Sequence, residues 1–167
     1  MNNEDKEIYR ATIDMWQCLC DLHQRLYECT ANECNALLTS EIEKTSELLE
    51  KKKSIINKIS LEEKNRQKLI EEILGPKKLS NEYRFSDLKA HFNQFEIERE
   101  GNHLNNFNLI LLDTIKKIRE QNKKNQLFLN RAMLSLEGLK LPPGEKASLS
   151  LYNKKGKKLN KVDLKEV

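Results

Sequence analysis

Cysteine and histidine crowd one short stretch of this chain, at Cys18, Cys20, His23, Cys29 and Cys34. Thiolates and imidazoles are zinc ligands, and a thiolate beside an imidazole is a nucleophile. The spacing argues against both uses. Cys18 and Cys20 lie two apart, so on a helix they face different ways. Cys20 and His23 share a face, but two ligands do not make a zinc site. Cys29 and Cys34 lack the CxxC pattern. Small buried or idle thiols in a reducing compartment are the plainer reading. His91 and His103 sit near no nucleophile motif, there is no Gly-rich phosphate loop, and Glu62-Glu63 and Glu71-Glu72 read as solvated helix surface. The expectation is a protein that is not an enzyme and uses no metal or cofactor.

A second pair of polar residues is harder to dismiss. In "IREQNKKNQLFLNRAMLSL", residues 118–136, the apolar positions repeat at heptad spacing, yet the seam runs through Asn122 and Asn125. Asparagine is a poor helix former and a costly core residue. Two readings stand. The amides fix helix register at some cost in stability, as a buried Asn does in coiled coils, or they line a seam left open for a bound segment.

The composition favours helices as the elements that carry these residues. Of 167 residues, 34% are charged and 38% hydrophobic, with only five Gly and three Pro. The longest apolar run, Leu109-Ile110-Leu111-Leu112, is far too short to span a bilayer. The start, Met-Asn-Asn-Glu-Asp, has no signal-peptide character, and a cytoplasmic protein is expected. Residues 141–167 hold seven Lys against three acids, whereas residues 1–140 hold 23 basic and 23 acidic side chains. All excess positive charge is therefore in the tail. A nucleic-acid reader usually shows a basic stripe on a folded face, so neither nucleic acid nor membrane insertion is expected.

No Gly or Pro occurs before Gly75. One stripe comprises Ile8, Thr12, Met15, Leu19, Leu22, Leu26, Cys29, Glu33 and Ala36; its neighbour comprises Tyr9, Ile13, Trp16, Cys20, His23 and Tyr27. Together they form the broad apolar face of a bundle helix. A third stripe runs Leu38, Ile42, Thr45, Leu49, Lys52, Ile56, Ile59, Glu63, Arg66, Ile70, Ile73, out of phase with the first. The jump falls at Leu38-Thr39-Ser40, and Ser40 with Glu43 has capping-box spacing. This predicts helices over 4–38 and 41–74, with a single bent helix as the alternative. Gly75-Pro76 ends the second. Residues 75–85 read as a linker, and Ser86 is placed to cap a shorter helix with Leu88, Phe92 and Phe95 that yields at Gly101-Asn102. The last helix is expected over 103–138, with the seam Asn108, Leu111, Ile115, Ile118, Asn122, Asn125, Leu129, Ala132, Leu136, Leu139. The segment "SLSLYNKKGKKL" reads as flexible or as a marginal hairpin. The fold expected is thus all-α, an antiparallel bundle of three to four long helices over 1–140, with a flexible lysine-rich tail over 141–167.

Three segments, taken in order, resemble the FlgN family of flagellar export chaperones. Residues 35–75 offer Lys52 or Lys53 before Ile55-Ile56, then Arg66 and a closing Gly75. "EQNKKNQLFLNRAML" is similar to the family's Asn-x-x-Asn and following apolar residues, and "LYNKKGK" to its closing Tyr-x-x-x-Gly, here Tyr152 to Gly156. The lysine-rich extension after Gly156 departs from that pattern. The resemblance implies a cytoplasmic chaperone without ATPase activity, serving flagellum biogenesis by type III secretion. Such a protein holds the C-terminal helical segment of hook–filament junction proteins, prevents their premature assembly and delivers them to the export gate.

On this reading the client-binding candidates are Asn122, Asn125, Phe128, Met133, Leu136 and Leu139. Ordinary core packing explains Leu136 as well, and an adaptable surface suits Phe128 and Met133 equally, since Met repacks readily. Tyr152 is the candidate contact with the export gate. A weak homodimer is also expected. The competing reading is a structural coiled-coil subunit that self-associates; a third is an adaptor using the Lys tail, which would bind salt-sensitively.

Overall fold

The computed structural model describes residues 3–75, 85–98, 101–139, 151–152 and 158–159. It holds four helices, α1 (Asn3–Leu38), α2 (Ile42–Leu74), α3 (Phe85–Glu98) and α4 (His103–Leu139), then two short strands, β1 (Leu151–Tyr152) and β2 (Lys158–Leu159). The all-α bundle expected from the stripes is what forms. The chain divides into two compact units, residues 1–125 and 126–167.

Within the first unit α1 is the central helix, because it buries two adjacent stripes at once. Every position of both stripes is buried or half-buried. Trp16 and Leu19 are almost fully enclosed. Two hydroxyls buried on this helix are satisfied by the helix itself: Thr12 and Thr30 donate to the Ile8 and Leu26 carbonyls, each at 2.8 Å. His23 Nδ1 lies 2.7 Å from the Leu19 carbonyl. Such i−4 bonds let a polar residue sit in an apolar face without an orphaned donor.

Helix directions follow from the contacts. Trp16 stands under Arg66 while the Cys29 thiol donates to the Leu48 carbonyl, so α2 runs antiparallel to α1. Trp16 meets Phe85 and Tyr9 meets Phe92 and Phe95, so α3 also runs against α1. The Cys20 thiol donates to the Phe107 carbonyl and Asn125 donates to the Thr30 carbonyl, so α4 returns in the direction of α1. A chain of the length between Leu74 and Phe85 reaches farther than α3 is long, which makes this order accessible. The linker reading for 75–85 falls mostly on residues outside those described. The lower core gathers Tyr9, Trp16, Ile70, Leu88, Phe92, Phe95 and Leu104; a second cluster holds Leu26, Cys29, Ile55 and Ile118.

The α1–α2 junction is a true hairpin turn, not a bend. Ser40 takes the left-handed conformation at φ 57. Its N–H donates to the Leu37 carbonyl at 3.3 Å, and the Glu41 N–H donates to the Ala36 carbonyl at 2.9 Å. These are the two bonds of a Schellman motif, with Ser40 in the place glycine usually takes. Ser40 therefore closes α1 and does not cap α2. Glu41 is the N-cap of α2 and makes no side-chain capping bond. Its carboxylate is instead held by Thr39 Oγ1 at 2.7 Å and Lys44 at 3.1 Å. The α3 boundary also shifts: the helix begins at Phe85, which places Ser86 inside its first turn.

Packing of α2 departs from its stripe in an orderly way. Along the heptad line Ile42, Leu49, Ile56, Ile70, exposure falls from 82% to 48%, 47% and 4%. A strict seven-residue repeat drifts by about 20° per heptad around a straight helix. The line therefore starts on the surface and rotates into the core, while higher up the inward side is formed by buried Ile55 with half-buried Leu48, Lys52 and Ile59.

The start of α4 is tied to the end of α3. The Glu96 carboxylate, itself buried, accepts from the Leu104 N–H at 2.7 Å and from the Tyr9 hydroxyl at 3.1 Å. A helix N-terminus leaves N–H donors without intrahelical partners, and an acid there is favourable. In the second unit β1 and β2 pair antiparallel, Leu151 with Leu159 and Tyr152 with Lys158. This matches the hairpin reading of that segment, and the rest of 141–167 lies outside the described residues.

The Ser40 geometry generates a stability prediction. Left-handed φ costs an ordinary residue about 1 kcal/mol relative to glycine. Ser40→Gly is therefore expected to stabilise the fold by about that amount, read as a higher Tm with unchanged helix content. A lower Tm would mean that the Ser40 side chain contributes more than its backbone strain costs.

Candidate functional site

Three helices meet around one buried ion pair. The Lys52 ammonium, from α2, donates to Glu33 Oε2 of α1 at 2.7 Å and to Asn122 Oδ1 of α4 at 2.8 Å. The Asn125 amide then donates to the Thr30 carbonyl at 3.0 Å and to the same Glu33 oxygen at 3.3 Å. Gln121 Nε2 donates to Asn125 Oδ1 at 3.0 Å, which leaves Asn125 engaged through both ends of its amide. Asn125 is 3% exposed. The Glu33 and Lys52 side chains are 9% and 16% exposed. Taking two charges out of water is repaid only when geometry is good and the remaining lone pairs and protons are filled. The two asparagines supply that filling, one at each end of the pair.

Glu33 and Lys52 were visible in the sequence as an acid and a base standing within apolar stripes. What spacing alone lacks is the depth at which α2 docks on α1, and hence that the two would meet. The Asn122 and Asn125 amides meet other side chains and backbone inside residues 1–125, as a register role requires. The other candidate residues belong to the second unit. Among them Met133 is 60% exposed, with Leu129 one turn before it at 40%, while Phe128 is half-buried. Leu136 and Leu139 fall in the last turn of α4, their side chains outside the described residues, and Tyr152 falls in β1.

Three of the four thiols are shifted toward their protonated form. Burial pushes Cys18, Cys20 and Cys29 above the ordinary thiol range, with Glu62 and Asp21 adding to this at Cys18. A raised pKa leaves little thiolate at neutral pH. Cys20 and Cys29 spend their S–H on carbonyls. Among the described residues no group of three His, Cys, Asp or Glu side chains gathers as a metal site would. Nor is any helix among them long and apolar enough to cross a membrane.

The junction can be tested through stability. Lys52→Met removes the cation and leaves the Glu33 carboxylate buried, and is expected to cost about 3 kcal/mol. Adding Glu33→Gln to that variant should recover much of the loss, since a neutral amide needs no counter-ion. Chemical denaturation of the single and double variants decides this. An undiminished loss in the double variant would show that the stranded carboxylate is not the source of the cost.

Neither a curated protein nor a solved structure matches the chain. A sequence profile of one family, described as FlgN protein, matches residues 9–160. The match runs from the first turns of α1 to just beyond β2, and so takes in the Lys52 junction, the exposed part of α4 and the strand pair. On that extent, the chain belongs to the FlgN family of flagellar export chaperones.

Proposed function

We propose that this protein is a cytoplasmic chaperone of type III secretion that binds the C-terminal helical segment of hook–filament junction proteins. It keeps that segment from assembling early and delivers it to the export gate. Family membership supplies the class, a chaperone family and not an enzyme family. The observation that carries the site is the apolar pair Leu129 and Met133, one turn apart on one face of α4 and both open to water. An amphipathic client helix has to bury its own stripe, and laying it on an apolar helical surface is an established recognition mode.

In this reading the client lies along α4 from Asn122 to Leu139, over Phe128, Met133 and Leu136. Asn122 is half-exposed and marks the polar end of the track. Tyr152, set in β1, is the contact with the export gate. Self-association as a weak homodimer completes the set of partners, and has support of its own in the exposed heptad line of α2.

Calorimetry with a junction-protein C-terminal peptide tests client binding. The expected result is a negative heat-capacity change from buried apolar area, with affinity lowered about tenfold or more by Met133→Asp. Unchanged affinity in a folded Phe128→Asp, Met133→Asp double variant would place the client elsewhere.

Delivery is tested separately. Tyr152→Ala is expected to reduce client secretion in cells while leaving peptide affinity and helix content near normal. Full secretion refutes the gate contact, and a matching loss of affinity moves Tyr152 into the client site.

A further inference from the structure

The upper part of α2 carries an apolar line that the described residues of its own unit leave exposed. Ile42, Leu49 and Ile56 are 82%, 48% and 47% exposed. They recur every seven residues, about 10.5 Å apart along the helix. Scattered surface leucines need no explanation, but a continuous apolar line does. Heptad spacing is also the pattern by which one helix receives another.

The charges around the line say which helix. Residues 41–50 hold Glu41, Glu43, Glu47 and Glu50 against the single Lys44. Residues 51–60 hold Lys51, Lys52, Lys53 and Lys58 and no acid. Lys52 turns inward to Glu33, and the other eight of these nine ionisable groups stand exposed. The sign of the helix thus reverses just past Leu49, the midpoint of the apolar line.

A segment with its apolar residues symmetric about one point, and its charge reversed about nearly the same point, is complementary to itself turned end over end. We infer that the Ile42–Leu49–Ile56 line docks against the same line of a second copy of this chain, antiparallel, with a two-fold axis at Leu49. This rests on the self-association part of the proposed function and is independent of client binding. Leu49 meets the partner's Leu49, and Ile42 meets the partner's Ile56. Each acidic stretch lies over a basic one, and Lys53, beside the apolar line, comes within reach of the partner's Glu43. A parallel pairing would instead stack acid on acid and base on base. The contact is isologous, so it closes at two copies. Three apolar residues per copy make a small interface, which suits a weak dimer.

Sedimentation of the full chain over a concentration series tests the dimer. The expected result is reversible dimerisation that Leu49→Glu weakens about a hundredfold, because the substitution sets two like charges together at the axis. Circular dichroism checks that the variant keeps its helices. A chain that stays monomeric throughout overturns the self-association and this surface together. A dimer untouched by Leu49→Glu overturns this surface alone. Loss of client-peptide affinity in Leu49→Glu, with the dimer intact, gives the line to the client instead.

Disulfide trapping reads the geometry. The background carries Cys18→Ser and Cys34→Ser, since Cys18 is exposed and Cys34 partly so. Leu49→Cys is expected to link to itself under mild oxidation. Ile42→Cys should link only when mixed with Ile56→Cys. Ile42→Cys linking to itself would mean a parallel arrangement and overturn the two-fold axis at Leu49.

Discussion

A buried ammonium group has to be answered wherever it lands, and in this bundle the Lys52 ammonium determines how three helices align. Apolar stripes of Leu and Ile are forgiving, since sliding one helix along another by a heptad exchanges one aliphatic contact for a similar one. The Lys52 position is not forgiving. Its donors reach Glu33 at 2.7 Å and Asn122 at 2.8 Å, and Glu33 in turn holds Asn125. A slip of α2 or α4 would strand a charge or an amide in the interior. The junction thus selects one alignment from several that burial alone would tolerate, which is the best-attested use of buried polar groups. Both asparagines have partners within this junction.

Much of the fold is legible in the sequence, and the reasons are local. Residues of α1 repeat at three and four without interruption, so both of its buried stripes were legible residue by residue. The position of the first turn was legible too, from the jump in phase at residues 38–40. Its mechanism was not. Ser40 has the right type and spacing for a helix N-cap, and only backbone geometry shows that it is the left-handed closing residue of α1. The α2 stripe was misjudged at its upper end for a different reason. A heptad line looks continuous in sequence, but on a straight helix it precesses, so the same line is surface at Ile42 and core at Ile70.

The site was legible in part. Asn122 and Asn125 announced themselves as misfits in an apolar seam. Glu33 and Lys52 were equally anomalous in their own stripes, but a pairing between residues on different helices depends on docking depth, which no single helix encodes. Gln121 carried no signal, being a polar residue beside a polar one. Glu96 likewise reads in sequence as ordinary helix surface, yet it is buried and holds the first turn of α4. Its role depends on a turn between two helices bringing an acid to a helix start.

The chain has a single tryptophan, and its placement gives the molecule an internal optical reporter. Trp16 is 2% exposed, its indole N–H has no hydrogen-bond partner among the described residues, the Arg66 guanidinium lies 5.6 Å from its ring and the Phe85 ring 6.0 Å away. A dry indole emits toward the blue, and a nearby cation shifts the energy of its excited state. Because those neighbours come from α2 and α3 while the indole belongs to α1, its emission colour reads whether three helices are seated together. The protein can therefore be followed by its own fluorescence, without a dye, through any event that loosens that end of the bundle.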